Sequence, residues 1–108
     1  MGLPIITTPA PQRYRLRLDD LILGETSKAV LVEERGHPNK LYFPRDDINM
    51  ALLTRTTRIS KCPWKGEAHY FSVGDAQNVI WSYERPKGAA AAIAGHLAVY
   101  PEITVEEI

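Results

Sequence analysis

The run Arg13-Tyr14-Arg15-Leu16-Arg17-Leu18 alternates cation and apolar side chain at every step, and Asp19-Asp20 closes it. A period of two sends the arginines to one face of a strand and Tyr14, Leu16 and Leu18 to the other, so this segment must sit at the surface of a sheet with one face buried. Leu21-Ile22-Leu23-Gly24 starts a second strand that Gly24 is free to bend. The β-branched run within Lys28–Glu34 is a third, sending Val30, Val32 and Glu34 to one side and Leu31 and Glu33 to the other. After the Gly36-His37-Pro38-Asn39 loop come a short strand, Lys40–Phe43, and a single helical turn opened by Pro44 with Asp46 and Asp47 in its first turn. Thr54–Cys62 reads as a polar loop leading into a strand. Glu67–Val73 and Asn78–Glu84 are strands joined by the turn Gly74-Asp75-Ala76-Gln77. Ala89–Ile93 has helical propensity, Gly95–Tyr100 returns to strand character, and Ile103-Thr104-Val105 adds a last edge strand. The sum is a mainly β, antiparallel domain with one or two short helices near 45–49 and 88–93.

At 108 residues the chain makes one domain with a single core. Residues 1–12, with prolines at 4, 9 and 11, read as an extended N-terminal arm, and 13–108 as the domain. Thirteen basic residues balance thirteen acidic ones, so no bulk field draws the chain to nucleic acid or to an anionic membrane. The single cysteine forms no internal disulfide, and no apolar run is long enough to span a bilayer. Cysteines and histidines at metal-ligand spacing are missing, and no metal or other cofactor is expected. Together these features point to a cytoplasmic protein.

The chemistry gathers in Cys62-Pro63-Trp64-Lys65-Gly66-Glu67-Ala68-His69-Tyr70 and in Trp81-Ser82-Tyr83. Rigid aromatic surface beside a few ionisable groups is the usual lining of a small-molecule pocket. Cys62, flanked by Lys61 and Lys65, is either a thiol activated by nearby cations or a small apolar filler. Glu34 ends an apolar strand on its inward face, where a carboxylate must find a donor. Arg45, Lys65 or a tyrosine hydroxyl are the candidates. Arg45, opening a helical turn, could hold an anion through its planar fork or pair with a neighbouring aspartate. By pleat counting, Lys65, Glu67, His69 and Phe71 share a face and Tyr70 lies opposite. Trp81 and Tyr83 have the alternation of core residues, whereas Trp64 follows a proline and suits a ligand wall.

Glu34, Tyr42-Phe43-Pro44-Arg45-Asp46-Asp47-Ile48, the Cys62–Tyr70 segment, Trp81-Ser82-Tyr83 and Ile93-Ala94-Gly95-His96-Leu97-Ala98-Val99-Tyr100-Pro101 stand in an order and spacing that resembles a small bacterial family. It is catalogued as domain of unknown function 427, with a nucleotidyltransferase-like label. The resemblance runs from Arg13 to about Val105. Asp46 stands where members usually carry glutamate, and Val99 where they carry phenylalanine. Members resemble β-tent proteins, so the resemblance implies two antiparallel sheets meeting at an angle over a pocket. The zinc-holding Cys-x-x-Cys pairs of some β-tent relatives are missing here. The nucleotidyltransferase label finds no counterpart in the residues: there is no Gly-Ser dipeptide, and Asp46 and Asp47 are adjacent rather than spaced to share magnesium.

The expected function is a pocket for a small molecule or anionic metabolite. Glu34, Cys62 and Lys65 are its reactive groups, and Tyr42, Arg45, Trp64, Tyr70, Trp81 and His96 its ligand-binding surface. A metal-independent enzyme is a subset of that reading. The rival is a non-catalytic interaction module, dimeric through an exposed edge such as Arg13–Leu18.

Overall fold

In the computed structural model, which describes residues 5–108, the chain is mainly β. Among the described residues ten strands form three antiparallel sheets, in the orders β1-β4-β5, β10-β2-β3 and β6-β7-β8-β9. The strands are β1 (Ile5–Ala10), β2 (Tyr14–Leu18), β3 (Leu21–Thr26), β4 (Ala29–Glu34) and β5 (Lys40–Tyr42). After them come β6 (Thr54–Cys62), β7 (Gly66–Val73), β8 (Ala76–Tyr83), β9 (Leu97–Val99) and β10 (Thr104–Glu107). The helical elements are 3-10 turns at Arg45–Asp47, Met50–Leu52 and Gly88–Ile93. The second was not expected from sequence; Asn49 caps it by accepting a hydrogen bond from the Ala51 amide at 3.2 Å.

The four-stranded sheet lies between two apolar clusters. Phe71, Val73, Ile80, Leu97 and Val99 pack with Leu16, Leu23, Ile48 and Ile103. Ala68, Tyr70, Tyr83 and Ala98 pack instead with Ile5, Val32, Tyr42, Ala90 and Ile93. The β1-β4-β5 sheet is joined to the central one where Phe43 and Leu97 exchange two backbone hydrogen bonds of 2.8 Å. Gly24 is fixed by a close approach: a Cβ there would collide with the Asp47 carbonyl oxygen, so the chain after Arg45 lies directly on β3. The buried Thr26 hydroxyl donates to the Asp47 carboxylate at 2.7 Å and ties the same turn down.

Several elements differ from the sequence reading. Within the segment expected as an arm, Ile5–Ala10 form β1, paired along its length with β4; Met1 to Pro4 lie outside the described residues. Thr54–Cys62, expected to begin as a loop, is one nine-residue strand. It is an edge strand exposed along most of its length, so it carries no apolar period to read. The Arg13–Leu18 segment is not an edge. Its strand β2 is the middle strand of its sheet, with β10 and β3 on either side, and its arginines are used there: Arg15 holds Glu25 at 2.7 Å and Arg17 holds Glu106 at 3.0 Å.

Candidate functional site

The β6–β7 connection shapes the site. Cys62 pairs with Gly66 in register, leaving Pro63, Trp64 and Lys65 as a three-residue turn. Gly66 has φ 102°, a left-handed value that side chains resist, so glycine is what lets the hairpin close here. The turn directs its neighbouring residues oppositely: Trp64 is 55% exposed, whereas Lys65 is buried. Lys65 is held from behind by a backbone hydrogen bond of 3.2 Å from the Lys87 amide to its carbonyl.

The Lys65 ammonium donates to the Glu34 carboxylate at the end of β4, and the two side chains are 11% and 9% exposed. Removing both from water is expensive, so the pair must be held closely to be tolerated. Lys65 Nζ also lies 5.2 Å from the Tyr83 ring centroid. Because Lys65 belongs to the turn rather than to β7, it faces Glu34 and Tyr83 instead of sharing the Glu67–His69–Phe71 face expected from pleat counting.

Glu34, Lys65, Cys62 and Trp64 line one concavity of about 520 Å³ together with His37, Lys61 and Tyr83. The last three were not among the candidate site residues of the sequence. Tyr83 could have been found, since it shares a strand face with Trp81; His37 sits three residues past Glu34, with Nε2 3.8 Å from its carboxylate. Lys61, Cys62 and Pro63 also border a second concavity of about 430 Å³, which reaches Glu67 and Lys87 on the other side of the turn.

Tyr42, Tyr70 and Trp81 do not line the Glu34–Lys65 concavity. Tyr42 is 1% exposed and its hydroxyl accepts a 3.3 Å hydrogen bond from the Trp81 indole N–H. Burial pushes the Tyr42 phenol well above its ordinary value, with the Glu34 carboxylate adding to the effect. Burial likewise raises Tyr83, and the Lys65 ammonium works against it. The Tyr70 hydroxyl meets Ser60 Oγ at 2.8 Å.

Two candidate residues lie elsewhere. Arg45 donates to the Gly95 carbonyl at 2.9 Å and to Ser82 Oγ at 3.1 Å, and pairs with Glu84 at 2.9 Å. It is fully engaged in fastening the turn after β5 to β8 and to the loop before β9. Arg55 shares Glu84, and its hydrogen bond is the main cause that holds this carboxyl below the usual carboxylate range. His96 places Nδ1 3.3 Å from the Ala94 carbonyl, a local backbone contact.

Residues 6–108 match the family model NTP_transf_9, described as a domain of unknown function (DUF427), and the chain belongs to that family. No curated protein matches it. Among the described residues no group of three or more His, Cys, Asp or Glu side chains is gathered, and Asp47 is already bound by Thr26. No helix among the described residues is long and apolar enough to cross a membrane.

Proposed function

We propose that the concavity between the end of β4 and the β6–β7 turn binds a small metabolite with a planar or acyl portion and a polar head. The observation that carries this reading is the Glu34–Lys65 pair, shielded from protein-free water on most sides yet open to a concavity walled by the exposed Trp64. A pair needed only to fasten the fold would gain nothing from such an opening. Beyond its partner, the ammonium keeps two donors and the carboxylate keeps lone pairs, enough to meet a ligand's hydroxyl, carboxylate or phosphate. Trp64 supplies a flat apolar wall, and Lys61 adds a second cation for an anionic head.

If the bound molecule is turned over, Glu34 is the group to take or give a proton, Lys65 stabilises the charge that develops, and the Cys62 thiol is the nucleophile at hand. Arg45 and His96 take no part in this reading, because their hydrogen bonds are spent on Gly95, Ser82, Glu84 and Ala94. Pairing through the free edge of β6 is disfavoured: Arg55, Arg58 and Lys61, with a register slip between Arg55 and Ile59, blunt that edge.

The test is a thermal-shift panel of nucleotides, sugar phosphates, acyl and thiol metabolites on wild type, Trp64→Ala, Glu34→Gln and Lys65→Ala. A ligand at a hundredfold excess over its Kd adds about 2.7 kcal/mol of apparent stability, several degrees in a domain this size. The expected result is at least one compound that stabilises wild type and loses its effect in Trp64→Ala, whose own Tm is unchanged. A panel without any stabilising compound, or one that acts equally on all variants, overturns the reading.

A further inference from the structure

A separate part of the same sheet face carries a row of rings and cations that the concavity does not use. Tyr70 on β7 stands directly opposite Trp81 on β8, and the Tyr100 ring, just past β9, lies 4.7 Å from Trp81 at 53°. Lys40 Nζ sits 5.1 Å from the Trp81 ring centroid, and the Arg58 guanidinium 4.5 Å from that of Tyr70. Trp81 and Tyr100 are each half-buried, so their rings are in part open to solvent. The indole N–H is spent on Tyr42 and the Tyr70 hydroxyl on Ser60, which leaves the aromatic surfaces as what this row offers.

The cations are the telling part. Arg13, Arg15, Arg17, Arg45, Arg55 and Lys65 each hold a carboxylate. Among the described residues Lys28, Lys40, Arg58, Lys61, Arg85 and Lys87 have no carboxylate within ion-pair distance, and of these Lys40 and Arg58 rest on aromatic faces. Burial holds the Lys40 ammonium below its ordinary pKa, the mark of a cation that is desolvated without an anion to offset the cost. A long side chain lying on a ring can swing to an incoming anion at little cost and leave the ring for stacking.

We propose that the half-buried rings of Trp81 and Tyr100 form a stacking site for a small planar ring bearing a carboxylate or a phosphate, which Lys40 and Arg58, the latter resting on the buried Tyr70, hold by its charge. An opposing charge is the exposed Glu102, whose field reaches Tyr100.

The chain has two tryptophans, so in a Trp64→Phe background the fluorescence reports Trp81 alone. That protein is titrated with benzoate and with adenosine monophosphate, and with adenosine and inorganic phosphate as controls. A saturable change with at least one of the two ring-bearing anions is expected. Its Kd should rise about tenfold in Lys40→Ala and in Arg58→Ala, the loss of one charge-assisted contact, and should weaken as salt is added. Glu102→Gln should tighten it. Both alanine variants remove surface side chains, and an unchanged Tm verifies their folding. Three results overturn the proposal: no saturation with either ring-bearing anion; equal affinity in the two alanine variants and the parent; or adenosine or phosphate alone matching the combined ring and charge. Carboxylate and phosphate ligands are separated by which of the two titrants binds.

Discussion

The two faces of the central sheet are built from different materials. One face carries Phe71, Val73, Ile80, Leu97 and Val99 into an apolar cluster with Leu16, Leu23, Ile48 and Ile103, every one of them buried. The other carries tyrosines 42, 70 and 83 beside Cys62, Trp81 and Tyr100, among the small side chains of Ala68, Ala90 and Ala98, and it ends at a buried ion pair. Aliphatic packing is non-directional and tolerates closure from every side. Hydroxyls, an indole N–H and a carboxylate each require a partner, and a cluster built of them is held by specific geometry. Both faces bury apolar side chains, but only the second sets them beside groups that need directed partners, and it is the face that the proposed ligand would meet.

The largest effect should come from cutting into the first face. Phe71→Ala is expected to cost about 3–5 kcal/mol by denaturant unfolding. Lys65→Ala on the second face should cost about 3 kcal/mol, because Glu34 is left buried without its partner. If Lys65→Ala cost nothing, the pair would be a solvated contact and the contrast between the faces would fail.

Titration sharpens the contrast next. Tyr42 and Tyr83 have phenol pKa values raised by burial, so the folded state holds their protons more tightly than the unfolded one. Their contribution is fully present below the unfolded value of about 10 and is lost as pH rises beyond it. Stability of wild type should therefore fall on the alkaline side of that value, and Tyr83→Phe should flatten the slope. On the acid side Glu84, whose pKa is lowered chiefly by the Arg55 hydrogen bond, stabilises above the ordinary carboxylate value of about 4.3. That contribution disappears as pH falls through the depressed folded value, and Glu84→Gln should remove it without touching the alkaline limb. The smallest effect on stability, within about 0.5 kcal/mol, is expected for Trp64→Ala, because the ring is mostly in solvent. Its effect on ligand binding should be the largest of any surface substitution.

Much of the fold could be read because one-sided sheets leave a period-two pattern, as β2 does in Tyr14-Arg15-Leu16-Arg17-Leu18. The inward aim of Glu34 followed from the same pattern in Val30 and Val32. Where the pattern fails, the reason is physical. The edge strand β6 meets water along most of its length, so nothing selects its apolar positions. Lys65 could not be assigned a face by counting, because a turn with Gly66 at positive φ interrupts the pleat just there. The partners of Arg45 are Ser82, Glu84 and Gly95, remote in sequence and joined only by sheet pairing. Val79 joins the first cluster although Trp81, two residues on, enters the other; Asn78, at φ 53°, immediately precedes it, and the facing strand β7 slips in register between Phe71 and Val73.

The central claim is that Glu34 and Lys65 are retained for what they meet in the concavity and not for holding the fold. The direct measurement is the unfolding free energy of the double variant Glu34→Leu with Lys65→Met, beside wild type and both single variants. Replacing a buried pair by apolar side chains of similar volume is often neutral or stabilising, whereas removing one partner is not. The account predicts a double variant at least as stable as wild type, single variants well below it, and no ligand response in the double. A double variant that loses about 3 kcal/mol or more would show that the pair is a structural fastening, and the claim would fall.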